Sequence, residues 1–536
     1  MKNRIKQYLL AASMCVGLTA CSDFFEPIPG VQFGLDETFA SKQRTEEYLN
    51  NVYSYVREVT DAIHPNTYGG IFTEASLDGA NRWNKTYAEW TNGSFNSASA
   101  QASEYFSKYY QAIAKASTFI QNVDKCTEAA ASTRGKWKSE ARALRAYYYF
   151  ELLRLYGPIP LIGEDPIPLD ASLEELIKER NSVDECVNFI ATELQSAIDS
   201  GDLLQRAGKA NLGRMDVATC MALKAKLYLY WASPLFNGNT DQASVKNKDG
   251  KQLFPQTEDN SKWAQARDAY ERFMTFATGQ GYKLTEVYTN GKLDPYASCR
   301  AAGEFFTTTW EAVDELIFVK LRDLYDYTYW VCPKFTDFQD TDVTGGGGYY
   351  TTQETVDLFF TKDGLTIEED PGYDKFEGIP GANNFTSGRY YDPNNPSRLY
   401  FDADKSKVLK QWKDREPRFY VNITYSGSIW LNEGKYNEEM RTDFTNGANG
   451  TCGKSKASGD CPDSGYLIRR GAKASNNNGS KHFSPVLRLA DMYLGYAEAL
   501  CMCSDLDNAL TYLNKIRVRA GIPEYTFTAT AGKIDR

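Results

Sequence analysis

Two clusters of aromatic side chains set among amides and charges are the residues of this chain best suited to chemistry. The first holds Trp83, Tyr87 and Trp90, with Asn81, Arg82 and Asn84 among them; the second holds Tyr325, Tyr327, Tyr329 and Trp330. Neither spacing follows one face of a helix or strand, so both read as loops. Sugars offer axial C–H faces that stack on flat rings and hydroxyls that pair with Asn, Asp and Arg, so rings beside amides are what a carbohydrate platform requires. Rings packing on one another locally would leave the same pattern. The candidate ligand-binding residues are therefore Trp83, Asn84, Tyr87, Trp90, Tyr325, Tyr327, Tyr329 and Trp330. Shallow platforms bind weakly, and a dissociation constant near ~1 mM corresponds to about −4 kcal/mol, which a few stacked rings supply.

Covalent chemistry is less well served. The chain has 2 histidines, His64 and His482, so a Ser-His-Asp triad or a histidine metal site would need one of them. The run Gly345–Gly348 lacks the following Lys and Ser/Thr of a phosphate loop and reads as a flexible surface loop. Carboxylates such as Glu368, Glu369 and Asp370 are plentiful, and a glycosidase needs only two, about 5 to 10 Å apart. A surface hydrolase is thus the runner-up. No catalytic residue, metal ligand or cofactor is assigned.

The elements that must position these residues are mainly helical. From Lys136 to Tyr156, Trp137, Ala141, Leu144, Tyr148, Leu152 and Leu155 recur at steps of three and four, predicting an amphipathic helix stopped by Gly157 and Pro158. A second helix is predicted over Asp216 to Phe236, with a small-residue stripe of Ala218, Ala222, Ala225, Leu229 and Ala232 that allows close helix approach. Ser484 and Pro485 read as cap and first position of a third, a break follows at Ser504 and Asp505, and a partner helix spans Leu506 to Ala520. Weaker helical segments at 41–59, 104–124, 172–199 and 261–277 bring the total to about four hairpins, as in a small tetratricopeptide-like array. From 280 to 482 the texture turns to Gly, Asn, Asp, Pro and aromatics, with brief apolar runs at Leu316 to Leu321 and Val421 to Tyr425. This predicts loops and short strands, with surface insertions at 376–398 and 434–482.

The chain starts with a basic stretch to Lys6 and an apolar run from Tyr8 to Thr19, the form of a secretory signal. At about a dozen residues that run is too short to span a membrane, which takes roughly 20. It ends in Leu18, Thr19, Ala20 and Cys21, a bacterial lipobox, so Cys21 is the expected lipid attachment point. Each buried methylene contributes about 0.8 kcal/mol, and two acyl chains suffice for stable anchoring. Lys plus Arg total 60 against 70 Asp plus Glu, a net charge of −10, so the basic footprint that nucleic-acid phosphates require is missing. Apolar residues make up 42% of the 536, enough for a substantial core. Of 11 cysteines, Cys15 falls in the signal and Cys21 at the anchor, and no CxxC pair occurs among the nine left. Cys501 and Cys503 point to different sides of a helix, while Cys452 and Cys461 flank a Gly/Ser/Lys loop and can bridge outside the cell.

These residues together resemble the SusD/RagB family. The lipobox is followed by Ser22 to Pro27; the segment Glu140 to Leu152 with Leu155 to Leu161 is similar to the family's most recognisable signature; further similarity lies at Tyr349 to Thr352, Asp363 and Gly364, Arg415 to Phe419, Gly465, Tyr466 and Arg469, Arg488 to Ala499, and Asn514 to Pro523. The resemblance covers nearly the whole mature chain. It implies a mainly α fold of tetratricopeptide-like hairpins with an irregular, loop-rich lobe containing short strands. It divides the chain into a signal peptide at 1–20, an N-terminal helical region at 21–280, a ligand-side lobe at 281–482 and a C-terminal hairpin at 483–536. It implies a non-catalytic, lipid-anchored protein on the cell surface at the outer membrane, which captures oligo- or polysaccharide for a SusC-like TonB-dependent transporter. Family members often place ligand residues in the two aromatic regions named above, and a peptide-binding importer subunit is the further alternative. Members usually continue into a helix rich in Arg and Glu, so the C-terminus at Arg536 looks truncated, which would leave core-facing surface uncovered.

Overall fold

Apolar residues recurring every three or four positions form helices along both ends of the chain. The computed structural model describes residues 34–56, 76, 78–81, 89, 93–163, 167, 171–303, 314–322, 329–335, 345–376, 378, 380–431, 440–445, 452, 460–472 and 482–527. Its main helices are α1 (Leu35–Ala40), α2 (Lys42–Tyr53), α3 (Ala100–Asn122), α4 (Ala131–Tyr156), α5 (Val183–Asp199), α6 (Val217–Ala232), α7 (Ser261–Gly279), α8 (Pro295–Gly303), α9 (Pro417–Asn422), α10 (Leu489–Met502) and α11 (Leu506–Arg519). From α3 to α7 each packs on the next, then α7 on α10 and α10 on α11. This is a mainly α fold of stacked, tetratricopeptide-like hairpins, and the irregular lobe is inserted between α7 and α10. No helix among the described residues is long and apolar enough to cross a membrane.

The period locates the helices, and local chemistry sets their ends. α4 stops at Gly157 (φ 68°), whose N–H donates to Leu153 O at 2.9 Å, as the Gly-Pro pair predicts. α6 begins where expected, the Asp216 carboxylate accepting from Thr219 N–H at 2.7 Å. The segment expected to run unbroken from 172 to 199 is interrupted after Leu176 and restarts at Val183. There Ser182 and Glu185 form a reciprocal capping box, which satisfies two helix-end donors and so favours a new start over continuation.

Two expectations are corrected. Ser484 and Pro485 do not cap α10: they lie in strand β8 (His482–Arg488), paired antiparallel with β2 (Leu316–Arg322), and Arg488 is the cap. Proline lacks an N–H, and this two-stranded ladder accommodates it at an irregularity between Pro485 and Leu487. The run Val421 to Tyr425 is half helix, closing α9 before the two-residue strand Ile423–Thr424.

α4 is more deeply placed than an amphipathic helix. From Ser139 to Leu153 every side chain but Arg142 is buried, because α3 and α5 flank it on either side. Its charges find partners. Arg145 donates from Nε to Glu193 at 2.9 Å and from Nη1 to Ser117 Oγ at 3.0 Å, and Glu140 accepts from Tyr53 Oη at 2.9 Å and pairs with Arg214 at 2.9 Å. Burial raises the Glu140 carboxyl above its ordinary range in spite of Arg214.

The last hairpin is docked by two devices. Gly495 lets α10 approach α7, since a β-carbon there would lie 2.2 Å from Tyr270 Oη, and the Tyr270 and Tyr496 rings stack at 6.2 Å. Behind it Glu315, 1% exposed, accepts from Arg519 Nη1 at 2.7 Å, Arg488 Nη1 at 3.2 Å and Thr285 N–H at 2.7 Å. Burial disfavours its charge, but the two guanidiniums outweigh that and hold its carboxyl below the ordinary value.

The lobe carries the remaining strands. β1 (Ala80–Asn81), β3 (Tyr349–Tyr350), β6 (Ile423–Thr424) and β7 (Leu467–Ile468) form one sheet in the order β1-β3-β7-β6, and β4 (Arg389–Asp392) pairs with β5 (Asn395–Asp402) as a hairpin. β1 reaches this sheet from the N-terminal half of the chain.

Candidate functional site

Tyr329 and Trp330 lie in the last turn of a helix that ends at Val331. The last carbonyls of a helix are without partners within it. The glycine run supplies them: Gly346 N–H donates to Tyr329 O at 2.7 Å, Gly348 to Trp330 O at 3.1 Å, Gly347 to Cys332 O at 2.9 Å and Gly345 to Pro333 O at 2.9 Å. All four glycines are buried, so Gly345–Gly348 is not the flexible surface loop that its composition predicts. A bare ribbon of backbone fits where side chains would not. A β-carbon on Gly346 would fall 2.3 Å from Trp330 Cε3, and one on Gly345 would fall 2.3 Å from Tyr329 O.

The two rings of the turn meet edge to face, centroids 4.9 Å apart and planes at 79°. Both side chains are half-buried. Trp330 packs against a small cluster that includes Val331, Phe335, Tyr349, Trp430 and Leu431. Trp430 is itself fixed by Arg469, whose guanidinium lies 5.6 Å over the indole and donates to Ile429 O at 2.9 Å. At the edge of this cluster Lys334 pairs with Asp460 at 2.5 Å.

The glycine run continues into β3, which pairs with β1 so that Asn81 lies opposite Tyr349 and Ala80 opposite Tyr350. Gly79 packs on Tyr349, its β-carbon position 2.8 Å from the phenol oxygen. Segment 345–350 therefore holds Trp330, at the end of the second aromatic cluster, and Asn81, at the start of the first. Trp83, Asn84, Tyr87, Trp90, Tyr325 and Tyr327 lie outside the described residues, as do Cys21 and His64. What sequence reasoning missed is the support of the ring: Gly346 and Tyr349. The one signal that could have found them is the unbroken junction of four glycines with a Tyr-Tyr-Thr-Thr strand start.

The carboxylates considered for hydrolysis are occupied in local turns. Glu369 accepts from Thr366 Oγ1 at 3.0 Å, Asp370 accepts from Gly372 N–H at 2.8 Å, and Glu368 lies 3.7 Å from Lys375 Nζ. Glu368 and Glu369 are exposed.

Three residues of the family's motifs, Arg415, Tyr466 and Arg517, are buried in the scaffold. Arg415 donates to the carbonyls of Val356 and Phe359, both at 2.7 Å, and Arg517 Nη2 donates to Gly364 O at 2.8 Å. Tyr466 donates to Gln353 at 2.8 Å and accepts from Trp412 Nε1 at 3.0 Å; burial pushes its phenol up to about 12. A family model described as the SusD family matches residues 315–535, and one described as starch-binding associating with outer membrane matches residues 32–229. The chain belongs to the SusD/RagB family. A curated SusD-like protein of Bacteroides ovatus is 27% identical over 175 residues, 31% of this chain and 30% of that relative. Among solved structures, a protein named BT4246 is 25% identical with a TM-score of 0.69, covering 91% of this chain and 83% of its own. A SusD-like protein from Bacteroides fragilis is 21% identical with a TM-score of 0.64, covering 92% of this chain and 83% of its own. A laminarin-binding SusD-like protein is 17% identical with a TM-score of 0.50, covering 92% of this chain and 86% of its own, and at that distance shares the SusD/RagB fold alone.

Proposed function

We propose that this protein is a non-catalytic, cell-surface glycan-binding lipoprotein, anchored at the outer membrane through Cys21, which passes oligo- or polysaccharide to a SusC-like TonB-dependent transporter. The observation that carries the reading is the joint seat of the two aromatic segments. Asn81 and Trp330 come from distant parts of the chain and rest on the same strand and glycine run, 345–350. Tyr329 and Trp330 offer stacking faces beside that seat, and Trp83, Asn84, Tyr87 and Trp90, which follow Asn81 in sequence, are the further contacts proposed for a sugar. Tyr325 and Tyr327, which precede Trp330 in sequence, are proposed to contact the ligand as well. Sugar rings stack on such faces, and a pre-formed seat lowers the ordering cost of binding.

The family model described as starch-binding associating with outer membrane, which matches residues 32–229, favours a carbohydrate as the ligand. The reading is tested by titrating the protein, from Ser22 onward, against plant, fungal and host polysaccharides by calorimetry, with reducing ends assayed in the same mixtures. Heat of binding without new reducing ends supports capture; release of reducing ends replaces capture by hydrolysis. Silence on every sugar from a protein that unfolds cooperatively sinks the glycan reading.

A further inference from the structure

In the segment 329–335, Val331, Cys332, Pro333 and Phe335 are buried, whereas Tyr329, Trp330 and Lys334 are half-buried and form its accessible side. Lys334 Nζ pairs with Asp460 at 2.5 Å, and the two side chains keep 32% and 27% of their surface open to solvent. Both backbones meet at Gly347, where a β-carbon would lie 3.2 Å from Lys334 N and 3.0 Å from Asp460 O. Gly347 follows Gly346, on which the Trp330 indole packs, and adjacent α-carbons are about 3.8 Å apart. The backbones that carry the ion pair and the indole itself therefore rest on consecutive residues of one buried ribbon. Asp460 is followed by Cys461, which is buried as a free thiol and is not bridged to Cys452 as its loop spacing allows.

We propose that Lys334 and Asp460 form the polar arm of the sugar site and restrict it to uncharged glycans, an inference that rests on the glycan reading above. An ammonium only donates and a carboxylate only accepts, while a sugar hydroxyl does both. A hydroxyl between the two groups accepts from Lys334 Nζ and donates to Asp460, exchanging the direct pair for two charge-assisted hydrogen bonds. Opening the pair costs little, because an ion pair this open to solvent contributes little. A sugar carboxylate or sulfate can also meet Lys334, but Asp460 then stands beside it as a like charge stripped of its partner, an arrangement that rejects a ligand. The net charge of −10 acts in the same sense on any polyanion. An uncharged glycan meets neither penalty.

The test titrates the protein, from Ser22 onward, against neutral glucans, mannans and xylans and against polygalacturonate, alginate and chondroitin sulfate. Binding of neutral glycans alone is expected, with an affinity that is the same at low and high salt. An acidic glycan as the ligand overturns the charge selection and leaves glycan capture standing, whereas silence on every glycan overturns the glycan reading and the proposal with it. A neutral glycan that binds is then compared with its carboxymethylated form, which wild type is expected to bind more weakly. Asp460→Asn removes the like charge: the native glycan should bind about tenfold more weakly and the preference over the carboxymethylated form should narrow, at a nearly unchanged melting temperature. A variant that melts lower yet binds both forms as wild type does makes the pair a latch between two segments and overturns the proposal. If Asp460→Asn does not fold, Lys334→Gln takes its place: a loss of about tenfold on the native glycan is expected, and unchanged affinity overturns the assignment.

Discussion

The indole of Trp330 lies so close to Gly346 that a β-carbon on the glycine would be 2.3 Å from the ring. The smallest side-chain change at 346 must therefore move either the ring or the ribbon, and Gly346 N–H is committed to Tyr329 O. Gly346→Ala is expected to destabilise the protein by about 1 to 3 kcal/mol, the usual range for overpacking a filled site. Chemical denaturation measures this, and an unchanged midpoint would mean that the ring has room to spare.

If Trp330 stacks on sugar, its replacement should weaken binding more than it weakens the fold. Trp330→Phe keeps a ring against Tyr349 and Trp430 but offers a smaller face. A three- to tenfold loss of affinity is expected, roughly 0.6 to 1.4 kcal/mol, with little change in melting temperature. Equal affinity for a bound glycan would remove Trp330 from the site.

Glu315 joins the lobe edge to Arg488 and Arg519 of the C-terminal hairpin. Glu315→Gln leaves the buried Arg519 and the half-buried Arg488 short of a counter-charge and should cost about 3 to 5 kcal/mol. Its carboxyl titrates below the ordinary value in the folded protein. The stability it contributes is therefore complete above the unfolded value, near ~4.3, and is lost as pH falls through the lower folded value. Melts of wild type and variant should converge in acid, and a gap that stays constant down to the lowest pH would contradict this.

Asp216 has the opposite sign. It caps α6 from a fully buried position, and desolvation raises its carboxyl to about 6, with the Thr219 and Ala207 N–H groups opposing. The folded state thus holds this proton more tightly than the unfolded chain, so stability falls as pH rises from ~4 to about 6 and is level beyond. The total is on the order of 2 to 3 kcal/mol. In Asp216→Asn that slope is expected to vanish. A stability difference from wild type that is independent of pH across this window would show that the carboxyl is ordinary.

The helical array is largely legible in the sequence because each helix buries one stripe, and the stripe repeats at the helical period. Gly157 and Asp216 mark ends correctly because their effect is local. Other features depend on contacts made far away in sequence. The burial of α4 on nearly every side follows from lying between α3 and α5, and its charged residues are tolerated only because Glu193, Tyr53 and Arg214 meet them. Pro485 reads as a helix start until β2 is known to pair with it. Gly345–Gly348 reads as freedom and is instead close packing, since nothing local shows that an indole will press on it. Trp330 was legible by residue type, whereas the strand that brings Asn81 to its support was not.

The interruption of the array between α7 and α10 also governs how the molecule comes into being. α3 to α7 emerge first and can stack as they appear, but the face of α7 around Tyr270 must wait for α10. Residues 280–488 intervene, and at ~5 to 20 residues per second their synthesis takes about 10 to 40 seconds. Throughout that interval the nascent chain has no α10 to cover this apolar seam, so any chain cut short before residue 489 would keep it open to water.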